Sequence, residues 1–279
     1  MSKKKKKDKS KKKGKGKKSK KSRKQSVAES ARRRAEQHKG DYESTVVNAP
    51  EGVEMFRVKS EKAIRIDIIP FTVGKNNPWA DEGAVHYERT FWTHRSIGAD
   101  ENSYVCLKKT LDKKCPICDF RRKLMKDPDA DDELIKDLAP KERQLFNVID
   151  TKDRDKGIQI WELSFHLFGK KLDAEIRNSD EDDNYEDFAD LEKGMTLKCS
   201  FSEKTWGGNP YFDCESIHFK TRKHEYDEDE MLADAPCLDD VLNILTYDEL
   251  KTILLQTEEE DEDESKSKKK KKKKKSSKK

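Results

Sequence analysis

The chain has 279 residues, of which 43% are charged and only 32% are hydrophobic. A composition this polar cannot bury one large core along the whole length, so we expect part of the chain to be disordered. No apolar run approaches the roughly 18 residues of a membrane span, and the basic N-terminus lacks the apolar stretch of a secretory signal peptide.

Charge is segregated along the chain. Residues 1–40 hold 20 Lys and Arg against 3 acids, residues 258–264 are all acidic, and residues 265–279 hold 11 Lys and no acid. Residues 41–257 are left with 31 basic and 47 acidic side chains, a net charge of −16. Because long blocks of like charge repel themselves and commonly serve as interaction tails, we predict disordered charged tails around an acidic folded core.

The first predicted elements surround a cysteine-rich segment. A folded unit is expected to begin near Phe56, and residues 63–70 alternate apolar and polar side chains up to a proline, which predicts a strand. Aromatic residues within 87–93 predict another strand ahead of the cysteines. Short helices are predicted over 119–126 and 131–138.

The middle of the chain is predicted to be rich in β-structure. Apolar residues at 145–149 and 158–163 flank a charged turn that ends in Gly157, which favours a β-hairpin. A short helix is predicted over 170–177, followed by an acidic loop over 179–193.

A second hairpin and a pair of helices are predicted to follow. Residues 195–201 and 211–219 flank a Gly-rich turn, and strands of this length with one intervening helix suit a small closed or partly open barrel. Residues 239–245 and 247–256 predict two short amphipathic helices. A Ser/Thr-x-x-Glu capping box that begins at Thr246 supplies the N-terminus of the second helix.

The strongest motif is a set of potential metal ligands spaced as His-x11-Cys-x8-Cys-x2-Cys, formed by His94, Cys106, Cys115 and Cys118. Three thiolates and an imidazole complete the tetrahedral ligand set of one structural Zn²⁺, with no position left for a catalytic water. His86 is the alternative fourth ligand, and a redox Cys-x-x-Cys pair or incidental thiols are the alternative interpretations. The three other cysteines are scattered, which favours a reducing compartment without disulfides.

Aromatic and basic residues in the two hairpins form a second constellation. Single-stranded nucleic acid requires flat rings for base stacking and cations that follow the phosphates. The predicted contacts to single-stranded DNA are Lys141, Arg143, Phe146, Trp161, Lys170, Lys171, Lys204, Trp206, Tyr211 and Phe212. Most aromatic residues in a barrel belong to the core, so Trp206 and Tyr211, near a Gly-rich hairpin tip, are favoured for exposure.

Enzyme signatures are not found in the sequence. It contains no Gly-rich phosphate loop, no nucleophile elbow and no His-Glu-x-x-His motif. The acidic clusters predict solvated loops rather than a two-metal nuclease site. We therefore predict that the protein is not an enzyme.

The chain resembles the zinc-containing single-stranded DNA-binding, or helix-destabilising, proteins of T-even-type tailed phages. The resemblance covers about residues 23–222 and is strongest in the zinc motif with its Cys-Pro-x-Cys pair. Other similar segments, in order, are 63–65 with 69–70, 147–150 followed by Gly157, 168–171, 209–213 and 215–216.

The resemblance implies a mainly β fold with short helices. It implies an OB-fold-type barrel as the DNA-binding core over 46–225, with an inserted zinc-binding subdomain over 86–126. An acidic linker with paired short helices is expected over 226–257.

The resemblance also implies roles for both tails. A disordered basic arm over 1–45 would contain a cooperativity segment near 23–38, in which Arg23, Lys24 and Ser26 contact the neighbouring protomer along DNA. The tail over 258–279, an acidic run followed by poly-lysine, would recruit replication and recombination proteins through its acidic part.

The predicted function is cooperative, sequence-nonspecific binding of single-stranded DNA in phage DNA replication, recombination and repair. The expected location is the host cell cytoplasm, in association with the nucleoid and without a membrane partner. Two alternatives remain open: an RNA-binding or transcription-associated zinc protein, and a protein–protein adaptor. The 2′-hydroxyl group is the chemical handle that separates RNA from DNA.

Overall fold

The computed structural model describes residues 44–180, 182–206 and 208–255. The predicted cooperativity residues Arg23, Lys24 and Ser26 lie outside these ranges, as do the acidic run and the poly-lysine tail. Those predictions are untested by the structure. Within the described ranges, no helix has both the length and the apolar character needed to cross a membrane.

The secondary structure consists of β-strands connected by short helices. In chain order the strands are β1 (Ile64–Ile69), β2 (Phe71–Thr72), β3 (Val85–His86), β4 (Arg89–Ile97), β5 (Asn102–Val105), β6 (Lys141–Asp150), β7 (Gln159–Ser164), β8 (Met195–Trp206) and β9 (Asn209–Thr221). The α-helices are α1 (Leu107–Leu111), α2 (Pro116–Leu124), α3 (Asp132–Asp137), α4 (Lys170–Arg177), α5 (Glu228–Asp234) and α6 (247–255). A π-helical turn over Phe165–Gly169 leads directly into α4.

Seven of the strands form one antiparallel sheet in the order β5-β4-β6-β1-β8-β9, with β7 paired to the other edge of β6. Strand β6 is long enough to pair with three other strands. Its first half pairs with β4, its second half pairs with β1, and β7 runs along its opposite edge. The sheet is not closed into a barrel by hydrogen bonds among the described residues. The predicted mainly β fold with short helices is therefore confirmed.

The largest core lies between the curled sheet and α4. Its centre is an aromatic cluster in which the Trp161 and Phe168 rings meet edge to face at 4.8 Å and Phe146 packs on Phe168 at 5.9 Å. Trp161 of β7 also faces Phe201 of β8, with 6.3 Å between ring centroids. Strands that are distant in the hydrogen-bonded order thus meet through side chains because the sheet curls around this cluster.

Both hairpins and the helix between them are confirmed. Helix α4 has the predicted bounds, and Gly157 ends the first hairpin turn at φ +66°, a backbone conformation that favours glycine. The second hairpin is longer than predicted, since β8 and β9 continue to Trp206 and Asn209. Helix α2 begins at Pro116 rather than at residue 119, because the chain turns into the helix directly after Cys115.

The C-terminal part of the core differs from the sequence prediction. Residues 239–245 form a turn and an isolated bridge between Val47 and Leu242, so the first of the two predicted helices is wrong. Val46 and Val47 are buried against this segment, and the folded unit therefore starts before Phe56. The second helix is confirmed over 247–255.

A capping box begins helix α6. The backbone N–H of Thr246 donates to the Glu249 carboxylate at 2.8 Å, and the Glu249 N–H donates back to the Thr246 hydroxyl at 3.3 Å. Leu250 and Leu254 of this helix are buried against the cysteine-rich segment. The predicted helix of the 226–257 segment therefore contributes to the core.

A buried ion pair attaches the C-terminal segment to the sheet. Arg89 of β4 lies 2.6 Å from Asp239, and the two side chains are 2% and 0% exposed. Asp239 also accepts a hydrogen bond from the backbone N–H of Gly74 at 2.9 Å. Burial raises the pKa of the Asp239 carboxyl, whereas the Gly74 hydrogen bond and the Arg89 charge favour its ionised form.

Replacing Asp239 with alanine is expected to lower the free energy of unfolding by about 3–5 kcal/mol, because the Arg89 guanidinium stays buried without its partner. Urea unfolding followed by circular dichroism measures this loss. The double variant Arg89→Met with Asp239→Leu removes both charges and is expected to recover much of the stability.

The matched control is Arg122→Ala, which breaks an exposed ion pair with Asp119 (3.1 Å) and is expected to leave the urea midpoint nearly unchanged. If Asp239→Ala were as mild as this control, the Arg89–Asp239 pair would not be what holds the C-terminal segment.

Candidate metal centre and nucleic-acid cleft

The four predicted metal ligands, His94, Cys106, Cys115 and Cys118, converge on one point. Their ligand atoms all lie within 4.8 Å of one another. The Cys106 and Cys118 sulfurs are 3.5 Å apart, and His94 Nε2 is 3.5 Å from both Cys115 and Cys118 Sγ. Tetrahedral Zn²⁺ with its usual bond lengths requires about 3.6–3.8 Å between ligand atoms. The cluster could therefore hold a metal ion, and its geometry is compatible with structural zinc.

Each ligand is positioned by an element boundary or a strand. His94 projects from β4, and Cys106 precedes α1, where its sulfur accepts a hydrogen bond from the Lys109 N–H at 3.4 Å. Asp112, at φ 51°, ends α1 in the left-handed conformation and turns the chain back. Cys115 then precedes α2 and Cys118 lies in its first turn, so the two close ligands reach the same point.

A second contact orients the histidine ring. His94 is fully buried, and its Nδ1 lies 2.9 Å from the carbonyl oxygen of Leu138. This contact assigns the proton to Nδ1 and directs the Nε2 lone pair at the three sulfurs, as ligating histidines usually require. His86 lies on β3 and is exposed, outside the cluster, so His94 is the histidine of this site.

The thiols perturb one another in this small volume. Hydrogen bonds from Cys106 and Cys118 lower the pKa of the Cys115 thiol far below its usual value, which favours the thiolate that binds metals. Burial lowers the pKa of His94, but hydrogen bonds from Cys106 and Cys115 outweigh it and raise the pKa to about 9. A metal ion at this site would displace the protons and bind the thiolates and the neutral imidazole.

The second candidate site is an open cleft of about 810 Å³ on the curled sheet. Strand β7, the segment before β1 and the outer half of the β8–β9 hairpin line it. Exposed or partly exposed rings come from Trp206, Tyr211 and Phe212, and cations come from Arg57, Arg95 and Arg143. Trp206 is 81% exposed, so one face of its indole is available to a ligand.

The β8–β9 hairpin contains a β-bulge close to the part of the hairpin that lines the cleft. The pairing of β8 with β9 shifts between Ser200 and Phe201, so Glu215 has no direct partner. A bulge increases the local twist and redirects the strand beyond it. Phe201 and Phe212, which lie beyond this bulge, both line the cleft.

Five of the predicted DNA contacts line the cleft: Arg143, Trp161, Trp206, Tyr211 and Phe212. Trp161 is only 4% exposed and forms the floor. Phe146 is fully buried behind it in the aromatic cluster, so it cannot present a face to a base while the core stays intact. The alternating pattern of β6 does not show that both faces of the strand are covered at this residue.

The four predicted lysines do not line the cleft. Lys141 and Lys170 are exposed, whereas Lys171 and Lys204 lie 3.3 Å and 2.5 Å from the carboxylate of Asp213. Lys204 also lies 3.1 Å from Glu215. These acids compensate two of the cations that were assigned to the phosphate backbone.

Two arginines of the cleft, Arg57 and Arg95, were missed by the sequence prediction. Arg95 could have been found, because it follows His94 on a strand and successive side chains point to opposite faces. If His94 points to the metal cluster, Arg95 must point to the other side. Arg57 precedes the first predicted strand and carries no comparable signal.

The charge inside the cleft is partly compensated. Arg143 Nε lies 2.7 Å from Glu162 Oε1, and both side chains are mostly covered. Glu162 lines the same cleft. A phosphate that binds Arg143 must therefore compete with this carboxylate.

Comparisons with known proteins do not assign the chain to a family. No protein-family model matches the sequence, and no curated protein is detectably similar to it.

Proposed function

We propose that the protein binds single-stranded DNA without sequence preference and that a structural Zn²⁺ stabilises one wall of its binding cleft. The observation that carries the proposal is the cleft itself, where three accessible rings and three arginines converge in a core of net charge −16. Stacking surfaces beside cations are the chemistry that unpaired nucleic acid requires. The resemblance to the phage helix-destabilising proteins supports DNA as the polymer.

In the proposed complex, bases stack on the rings at the hairpin tip and phosphates follow the arginines. Trp206 and Tyr211 offer faces that suit any base, which accounts for binding without sequence preference. Arg57, Arg95 and Arg143 supply the positive charge along the cleft. Acidic side chains outnumber basic ones over residues 41–257 as a whole, so the cations of the cleft stand out as a path for DNA.

The proposed zinc has no open coordination position and therefore a structural role. His94 and Arg95 are adjacent on β4, so the ion on one side of the strand positions the arginine on the other side. When bound, zinc supplies the folding free energy that the small cysteine-rich segment lacks. The ion thus acts on DNA binding through the position of β4.

The curled sheet supports a partly open OB-type barrel as the architecture of this core. Strands β7 and β8 face each other across the aromatic cluster without hydrogen-bonding to one another. Cooperative binding through the basic arm, recruitment of replication and recombination proteins by the acidic run, and a role in phage DNA metabolism belong to the proposal through the resemblance.

Replacing Trp206 with alanine is expected to weaken binding of single-stranded DNA by about 1–3 kcal/mol, the usual value of one base–aromatic stack. Fluorescence anisotropy with a labelled oligothymidylate measures the affinity. The matched control is Trp79→Ala, because Trp79 is also exposed, at 61%, but does not line the cleft. Equal affinities of the two variants would remove the hairpin tip from the proposed interface.

The same titration with an RNA oligonucleotide of identical sequence separates the alternatives. Tighter binding of RNA by the wild-type protein would favour the RNA-binding alternative, because the 2′-hydroxyl is the chemical difference at the sugar. Binding of neither polymer at low salt would leave the adaptor interpretation.

Removing the metal, or replacing Cys115 with serine, is expected to lower the thermal unfolding temperature and the affinity for single-stranded DNA together. Metal analysis by mass spectrometry, calorimetry and anisotropy measure the three quantities. The control is Cys237→Ser, since Cys237 lies outside the ligand cluster. Loss of zinc without a change in stability or affinity would contradict the structural role.

Replacing Glu162 with glutamine is expected to strengthen binding of single-stranded DNA, because Arg143 no longer has a carboxylate that competes with phosphate. The salt dependence should also steepen by about 0.7 in the slope of log K against log salt, the value for one additional phosphate contact on a single strand. Anisotropy titrations over a range of salt concentrations measure both. Weaker binding with an unchanged slope would show that the Arg143–Glu162 pair serves only the fold.

A further inference from the structure

The outer face of the cysteine-rich segment carries an unusual concentration of positive charge. Residues 107–126 contain eight basic and two acidic side chains, although residues 41–257 as a whole are strongly acidic. All of these basic residues except Arg121 are exposed. We call the part of this surface that is formed by Lys108, Lys114, Arg122, Lys123, Lys126 and Tyr247 the basic face.

The basic face is concave rather than flat. Its residues surround a hollow of about 660 Å³ that reaches down to Cys115 and Cys118. The cations come from α1 and the loop after it and from α2 and the turn after it, while Tyr247 comes from the start of α6. Leu250 and Leu254 pack α6 against the same segment, which places Tyr247 at the border of the hollow.

The two acids in the hollow leave most of its charge uncompensated. Asp112 pairs with Lys108 at 2.6 Å and Asp119 pairs with Arg122 at 3.1 Å, and both pairs are exposed and therefore weak. Lys114, Lys123 and Lys126 have no acidic partner within ion-pair distance among residues 44–180, 182–206 and 208–255.

The basic face is separate from the cleft. The two surfaces have no lining residue in common. Strand β4 lies between them, because His94 turns toward the cysteines that border the hollow and Arg95 turns toward the cleft. A ligand on the basic face would therefore not occupy the cleft.

The chemistry of the basic face matches a sugar–phosphate chain. Arg122 and Lys123 lie in the last turn of α2, Lys126 lies in the turn that follows the helix, and all three line the same hollow. Tyr247 adds one partly exposed ring beside them. Several cations around one hollow with a ring at its border are what single strands bind, whereas the hollow has few apolar side chains for a folded peptide.

We infer that the basic face binds a second single-stranded nucleic-acid segment while the cleft holds the first. This inference rests on the proposed function of the cleft and extends it. One molecule would then contact two stretches of strand, on opposite sides of β4. Such an arrangement holds two strands near each other or bends one strand around the cysteine-rich segment.

Lysine footprinting of the full chain tests the inference. A water-soluble acylating reagent modifies exposed lysines, and mass spectrometry measures the modification at each position with and without an oligothymidylate. The oligonucleotide is expected to protect Lys114, Lys123 and Lys126 several-fold. Exposed Lys59 and Lys220, which line neither surface, serve as internal controls.

Two variants separate the basic face from the cleft. Trp206→Ala should weaken binding in the cleft but leave the protection of the three lysines intact at saturating oligonucleotide. Binding of one oligonucleotide should still quench the fluorescence of Trp206 in the triple variant Lys114→Gln, Lys123→Gln and Lys126→Gln. When a donor-labelled and an acceptor-labelled oligonucleotide are added together, the wild-type protein should bind both and show energy transfer between them. The triple variant should bind only one and show no energy transfer. Because all three lysines are exposed, thermal unfolding should be unchanged.

The outcomes distinguish this inference from the proposed function. Quenching of Trp206 with full reactivity of the three lysines would overturn the second surface and leave the cleft as proposed. If the oligonucleotide neither quenched Trp206 nor protected the three lysines, both the inference and the proposed function would be overturned. Protection by a peptide with the sequence of residues 258–264, but not by the oligonucleotide, would assign the basic face to an acidic segment and overturn the inference.

Discussion

The position of β4 is the constraint on which the other features of the molecule depend. At one end of the strand, Arg89 is fixed by its buried ion pair with Asp239. Near the other end, His94 enters the cysteine cluster. Between these anchors the strand pairs with β5 and β6, so its register determines which side chains face the core. Arg95 follows the second anchor directly on the strand and lines the cleft.

Local patterns predicted much of the fold and most of the metal site. The two hairpins and α4 follow from hydrophobic periodicity and turn residues within short stretches of sequence. The four potential ligands lie within 25 residues, where their spacing alone restricts the geometry. The prediction failed where distant segments decide the structure. Residues 239–245 have a helical pattern of apolar residues, but burial against Val46 and Val47 and the pairing of Asp239 with Arg89 favour an extended path.

The cleft was less predictable than the candidate metal site, because contacts between distant segments form it. Its residues come from strands and loops that are far apart in the chain, and alternation shows which side chains share a face but not which face is covered. Phe146 was therefore assigned to DNA although it is buried, while Arg57 was missed. The lysines at 171 and 204 illustrate a further limit, since ion pairs with Asp213 compensate charges that the sequence shows as basic.

The contact between His94 and the Leu138 carbonyl has a consequence for the choice of the fourth ligand. Leu138 lies three residues before β6, so the imidazole connects the cysteine cluster to the segment that leads into this strand. A cysteine at position 94 could complete a four-sulfur zinc site, but its side chain has no polar atom other than the sulfur with which to reach this carbonyl. Only a side chain with two opposed polar atoms can bind an ion and tether the neighbouring chain at once. Histidine at this position thus connects two parts of the backbone, and its exchange for a cysteine would keep four potential metal ligands while releasing the segment that leads into β6.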